Sequence, residues 1–91
     1  MTNLDCAIKA VREAKQIGTG TCFKKNGEPN CSLGHISAKC GGPATDKGLL
    51  AWFREAFSIS AGSIYIENDS SRNPDTESRK AAVISVLERS R

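Results

Sequence analysis

The chain has 91 residues, 38% hydrophobic and 25% charged, an ordinary globular composition that argues against a disordered or fibrous class. Its net charge of +3 is too small to argue for nucleic acid by itself, and its apolar runs are too short to cross a membrane. The expectation is a single small domain over residues 1–91 with one modest core, since a chain this short buries only about 60–70% of its unfolded surface.

The first segment reads as a helix. Leu4, Ala7, Ile8, Val11, Ala14 and Ile17 recur at spacings of three and four and make one apolar stripe. Thr2 and Asp5 stand in capping-box positions, Asp5–Lys9 and Lys9–Glu13 are spaced to pair on the wet face, and Gly18 and Gly20 mark the stop.

The stretch "TCFKKNGEPNC" follows. Asn26-Gly27 is a favoured centre for a two-residue hairpin turn. That turn sets a register: Lys25 opposite Glu28, Lys24 opposite Pro29, Phe23 opposite Asn30 and Cys22 opposite Cys31. Pro29 then falls where its missing N–H does no harm. "CSLGHISAKCGG" reads as a short helix ended by Gly41-Gly42, with Gly34 costing about 1 kcal/mol relative to Ala unless a close backbone contact requires it.

Thr45 or Asp46 is placed to cap a third helix, "DKGLLAWFREAFSI". It carries three of the five aromatic residues: Trp52, Phe53 and Phe57. Core packing is the simpler account of that face; a stacking platform for a ring is the functional one. Ile64 and Ile66 alternating about Tyr65 suggest a brief extended segment, and Asn68-Asp69-Ser70-Ser71 a turn. Asn73 then caps a last helix that has Pro74 at its first position and Ala82, Val83, Val86 and Leu87 as its buried stripe. The sum is a mainly α (α+β) fold: a compact four-helix arrangement with one small β-hairpin.

The cationic excess lies in the first half. Residues 1–45 hold six Lys/Arg against three acids, and residues 46–91 hold seven against seven. Solvated surface explains this as simply as an anion site does. Lys24 and Lys25 at the hairpin tip, with Lys9, Arg12 and Lys15 on the first helix, are the candidates for a nucleic-acid surface. Trp52, Arg54, Asn68, Asp69 and Arg72 could converge on a small anion if the 64–72 loop folds over the third helix, although Asn68 and Asp69 are equally good plain turn residues.

The cysteines admit several readings. Cys22, Cys31, His35 and Cys40 are zinc-ligand types, but there is no C-x-x-C knuckle, and Cys40 falls on the opposite helix face from Cys31. Cys31, His35 and Asp69 have the chemistry of nucleophile, base and orienter, with nothing in their spacing to assemble them. No secretory signal is visible at the N-terminus. A cytoplasmic setting is therefore expected, with reduced thiols and no disulfide framework. No metal and no cofactor is called for.

One resemblance adds to this. A helix, a Gly-containing hairpin, "GEPNCSLGHIS" (27–37), an aromatic helix and "IYIENDSS" (64–71) before a final helix resemble a family of small phage and bacterial proteins known as a domain of unknown function. Family members often carry Trp where this chain has Glu67. The resemblance implies a phage context, in which proteins of this size are often non-enzymatic inhibitors or sequestering proteins.

The expected function is thus that of a non-enzymatic binding protein, an inhibitor of host defence in the host cytoplasm. It would occlude a host protein or sequester a signalling nucleotide, with a site at a homo-oligomer interface as one arrangement. Lys24, Lys25, Trp52, Arg54, Asn68, Asp69 and Arg72 are the expected ligand residues. A nucleic-acid-associated regulator and a small zinc module are the alternatives.

Overall fold

The computed structural model describes residues 3–90 and contains five helices: α1 (Asn3–Glu13), α2 (Ser32–Cys40), α3 (Leu49–Phe57), α4 (Ala61–Asp69) and α5 (Thr76–Arg89). The fold is all-α. No strand forms among the described residues, so the α+β hairpin and the four-helix count are both corrected. None of these helices is long and apolar enough to cross a membrane. The Thr2 cap lies outside the described residues.

The core follows the apolar stripes. Ala7, Ile8 and Val11 of α1, Leu33 and Ile36 of α2, Leu49 and Phe53 of α3, Ile64 of α4, and Val83 and Leu87 of α5 bury into one cluster. Phe53 and Phe57 stack tilted at 4.8 Å, and Trp52 meets Phe57 edge-on at 5.6 Å, so the aromatic face of α3 is largely core.

The helix predicted through Ile17 ends four residues early, at Glu13. Ala14 and Ile17 nevertheless stay buried. The chain past α1 runs along the core with its backbone satisfied from a distance. The Ile17 N–H donates to Thr76 Oγ1 at 3.1 Å, and the Ile17 carbonyl accepts from Arg79 Nη1 at 2.6 Å. Gly18 N donates to Asn30 O at 2.8 Å. These partners replace the i→i−4 ladder that a longer helix would need.

The 22–31 stretch is also corrected. Gly27 N donates to Lys24 O at 2.9 Å, Lys24 N to Glu28 O at 2.8 Å and Asn30 N to Cys22 O at 2.8 Å, about a single antiparallel bridge between Phe23 and Pro29. The loop has three residues rather than two, so Lys24 opposes Glu28, and Cys22 opposes Asn30 rather than Cys31. A two-residue type I′ turn needs positive φ at both centres. Gly27 has φ +88°, but Asn26 does not have positive φ; its side chain instead accepts from Glu28 N at 3.0 Å. With Pro29 in one arm and α2 starting at Ser32, no ladder extends from the bridge.

The remaining boundaries shift for identifiable reasons. Neither Thr45 nor Asp46 caps α3; Gly48, at φ 77°, is its N-cap. The segment read as extended at 64–66 is α4, capped by Ser60 Oγ accepting from Gly62 N at 3.2 Å. Ile64 and Asn68, four apart, are its buried face, and the exposed Ile66 produced the false alternation. Asn68 and Asp69 therefore lie in its last turn, not in a loop. Asp75, not Asn73, caps α5, in a reciprocal box with Ser78. Asn73 Nδ2 instead donates to Glu67 O at 2.7 Å.

Cys6 and Cys40 form a disulfide, with Cα atoms 6.1 Å apart, joining α1 to the end of α2. This corrects the expectation of uniformly reduced thiols and takes Cys40 out of the zinc set.

Candidate functional site

The polar centre of the molecule is built around Asn68. Its Oδ1 accepts from Ser32 N at 3.0 Å and Ser32 Oγ at 2.6 Å; its Nδ2 donates to Gly18 O at 2.9 Å and to Asp69 Oδ1 at 2.7 Å. Ser32 is the first residue of α2, whose N-cap, Cys31, makes no side-chain cap bond. An α4 side chain thus supplies the capping that α2 lacks. Asp69 Oδ2 accepts from Gly20 N at 3.3 Å. Asn68 and Asp69 therefore hold the 18–20 segment and α2 together.

The same bonds leave Cys31, His35 and Asp69 unassembled as a catalytic trio, because both Asp69 oxygens serve Gly20 and Asn68. Among the described residues no group of three or more His, Cys, Asp or Glu side chains could hold a metal.

The expected ligand residues are dispersed. Trp52 is half-buried beside Phe57. Exposed Arg54 lines a shallow groove of about 290 Å³ with Leu50 and Ser60. Exposed Arg72 pairs with Glu67 at 3.5 Å. Lys25 is exposed on the turn. Of the first-helix cations, Lys9 approaches Glu13 at 4.0 Å, and Arg12 is exposed. Lys24 and Lys15, by contrast, share one groove.

That groove, of about 780 Å³, lies between the segment after α1, the 24–29 loop and α2; Lys15, Gln16, Lys24, Glu28, Pro29 and His35 line it. A recess of about 280 Å³ continues past Gln16, Lys24 and Pro29 to Thr76 and Arg79. Arg79 donates to the carbonyls of Ile17, Asn73 and Pro74 at 2.6, 3.1 and 2.9 Å. Its guanidinium is fixed in place while keeping its charge. Lys15 and Lys24 thus line the groove with one carboxylate, Glu28, and Lys24 and Arg79 line the recess with none.

Among the described residues, His35 Nε2 is a buried side-chain nitrogen without a hydrogen-bond partner. Burial lowers its pKa, helped by Lys24 and Lys80 and opposed by the Gln16 and Asn30 backbone. The lowered pKa favours the neutral imidazole.

Sequence reasoning singled out Lys24, Lys15 and His35 for separate roles and did not group them with Gln16, Pro29, Thr76 and Arg79, which line the same groove and recess. Only the Gly18–Gly20 loop signal hinted that the chain past α1 leaves the helix. Nothing in the sequence connects it to α5, more than fifty residues on.

Comparison of the chain with family models, with curated proteins and with solved structures finds no match.

Proposed function

We propose that the protein is a non-enzymatic binding protein that takes a small anion of the nucleotide class in the Lys15–Lys24–His35 groove and its Arg79 recess. The observation that carries this reading is that Lys15 and Lys24 line one groove with His35, that Lys24 also lines the adjoining recess with Arg79, and that Glu28 is the one carboxylate lining either. The groove volume of about 780 Å³ lies within the usual range for small-molecule sites, about 300–1,000 Å³. Cations beside a concave, partly apolar wall attract phosphate, and a neutral imidazole adds a directional bond. A protein of this kind would act by sequestration, as expected of a phage-type inhibitor of nucleotide signalling.

The test is thermal unfolding in the presence of a nucleoside triphosphate and of a cyclic dinucleotide. A ligand at a hundred times its Kd stabilises the native state by about 2.7 kcal/mol. A rise in Tm is expected with at least one of the two. Lys15→Glu and Lys24→Glu should abolish it, whereas Arg54→Glu, on the separate α3 groove, should leave it intact. No shift with either probe at millimolar concentration would overturn the reading, as would a shift insensitive to both lysine variants. Binding of single-stranded oligonucleotide in preference, with a steep loss of affinity in salt, would move the assignment to nucleic acid.

A further inference from the structure

Two cysteines remain outside both the disulfide and the groove. Cys22 and Cys31 are free, and each is 1% exposed. They sit on the two arms of the 22–31 loop, which the Asn30 N to Cys22 O bond of 2.8 Å already draws together. Cys31 is the N-cap of α2, in extended conformation and with no side-chain cap bond, and the Gly34 and Leu33 backbone acts on its thiol. Cys22 Sγ lies 2.8 Å from Tyr65 Oη. Each thiol is the first influence on the other's pKa: Cys31 lowers that of Cys22, and Cys22 raises that of Cys31.

Packing holds this arrangement from below. A Cβ on Gly34 would overlap the Cys22 carbonyl oxygen, so the first turn of α2 rests directly on the Cys22 backbone. The partners are therefore brought together before any bond forms, and little chain entropy remains to be lost in joining them.

We propose that Cys22 and Cys31 are a reversible dithiol–disulfide couple, oxidised by exchange with a small-molecule disulfide, that locks the 22–30 loop onto the N-terminus of α2. The existing Cys6–Cys40 bond shows that the fold accommodates one such crosslink. The exchange is balanced. The Cys22 thiolate attacks one sulfur of the small disulfide and expels the other half as a thiolate, which takes up a proton. The Cys31 thiolate then attacks Cys22 Sγ and expels the second half. The protein loses two thiol hydrogens and two electrons, and the small disulfide becomes two thiols.

The asymmetry of the pair suits this order. Hydrogen bonding from Cys31, and then from Tyr65, lowers the Cys22 pKa despite burial. The hydrogen bond to Cys22 and burial raise that of Cys31. The first proton leaves from Cys22, and a second charge beside it is resisted. Because both sulfurs are buried, exchange waits on opening of the loop.

The couple is tested on the full chain, equilibrated in buffers of varied reduced-to-oxidised glutathione ratio, quenched with acid, unfolded and alkylated, then peptide-mapped by mass spectrometry. The expected result is alkylation at both Cys22 and Cys31 in reducing buffers, giving way in oxidising buffers to a Cys22–Cys31 crosslink with Cys6–Cys40 retained. In Cys31→Ser, Cys22 should instead accumulate as a glutathione mixed disulfide. Alkylation of both cysteines at every ratio would overturn the proposal, as would crosslinks of either to Cys6 or Cys40. So would a Cys31→Ser protein whose Cys22 never takes up glutathione.

Discussion

Gly34 shows how a single atom can reverse a propensity argument. In a helix interior, Gly→Ala is worth about 1 kcal/mol in favour of Ala, and the sequence alone leaves that cost unexplained. Gly34 is buried in α2, and an added methyl would overlap the carbonyl oxygen of Cys22, a backbone atom that cannot rotate away. Overpacking of this kind costs about 1–3 kcal/mol, enough to reverse the propensity gain. Gly34→Ala is therefore expected to lower the urea midpoint with an unchanged m-value. A midpoint equal to or above that of the parent would show that α2 can shift away from the loop. Asn68 teaches the same lesson from the polar side. In sequence it is a turn former; in the fold it is a buried amide serving a helix start, a loop carbonyl and Asp69. No local pattern distinguishes the two, because every partner but Asp69 is at least 36 residues away.

Among elements, those with long apolar stripes were readable from periodicity: α1, the centre of α3 and the buried face of α5 lie where the three-and-four spacing puts them. The failures cluster where side chains at a distance decide the backbone. α1 stops at Glu13 because Thr76, Arg79 and Asn30 satisfy the chain beyond it. α4 was hidden because its stripe is short and Ile66 points to solvent. The groove was legible only as scattered cations, since its floor is that same irregular segment. α5 offers a prediction at this scale. Backbone and hydroxyl hydrogen bonds from Ser78 lower the Asp75 pKa below its ordinary 3.8. A carboxylate with a depressed folded pKa adds stability above its unfolded pKa and loses it as pH falls through the folded value. Helix content should therefore fall with pH below about 3.8, partly through this cap. Asp75→Asn, which keeps an acceptor oxygen without the charge, should show a shallower acid limb by circular dichroism. An identical limb would assign the acid loss to other carboxylates, such as Glu13, whose pKa the Lys39 hydrogen bond also lowers.

For the whole molecule, α1 packs on α2 and α5, and α5 on α4, while the Cys6–Cys40 disulfide spans a sequence separation of 34. Closing a loop of that length removes unfolded-state entropy worth about 3–4 kcal/mol, a large share of the 5–15 kcal/mol typical of a domain. The bond also brackets the entire 22–31 stretch, with exposed Lys24 and Lys25 on its turn. A peptide bond hydrolysed there would not divide the molecule. The two pieces would travel as one species, heavier by a single water, and part only when reductant is added. Mass spectrometry of a brief tryptic digest, run with and without reductant, should reveal such a nicked form. If a cut at Lys24 or Lys25 releases separate pieces without reductant, the crosslink is absent. The disulfide thus makes the most exposed loop of the groove a place where the chain can be broken and the protein remain whole.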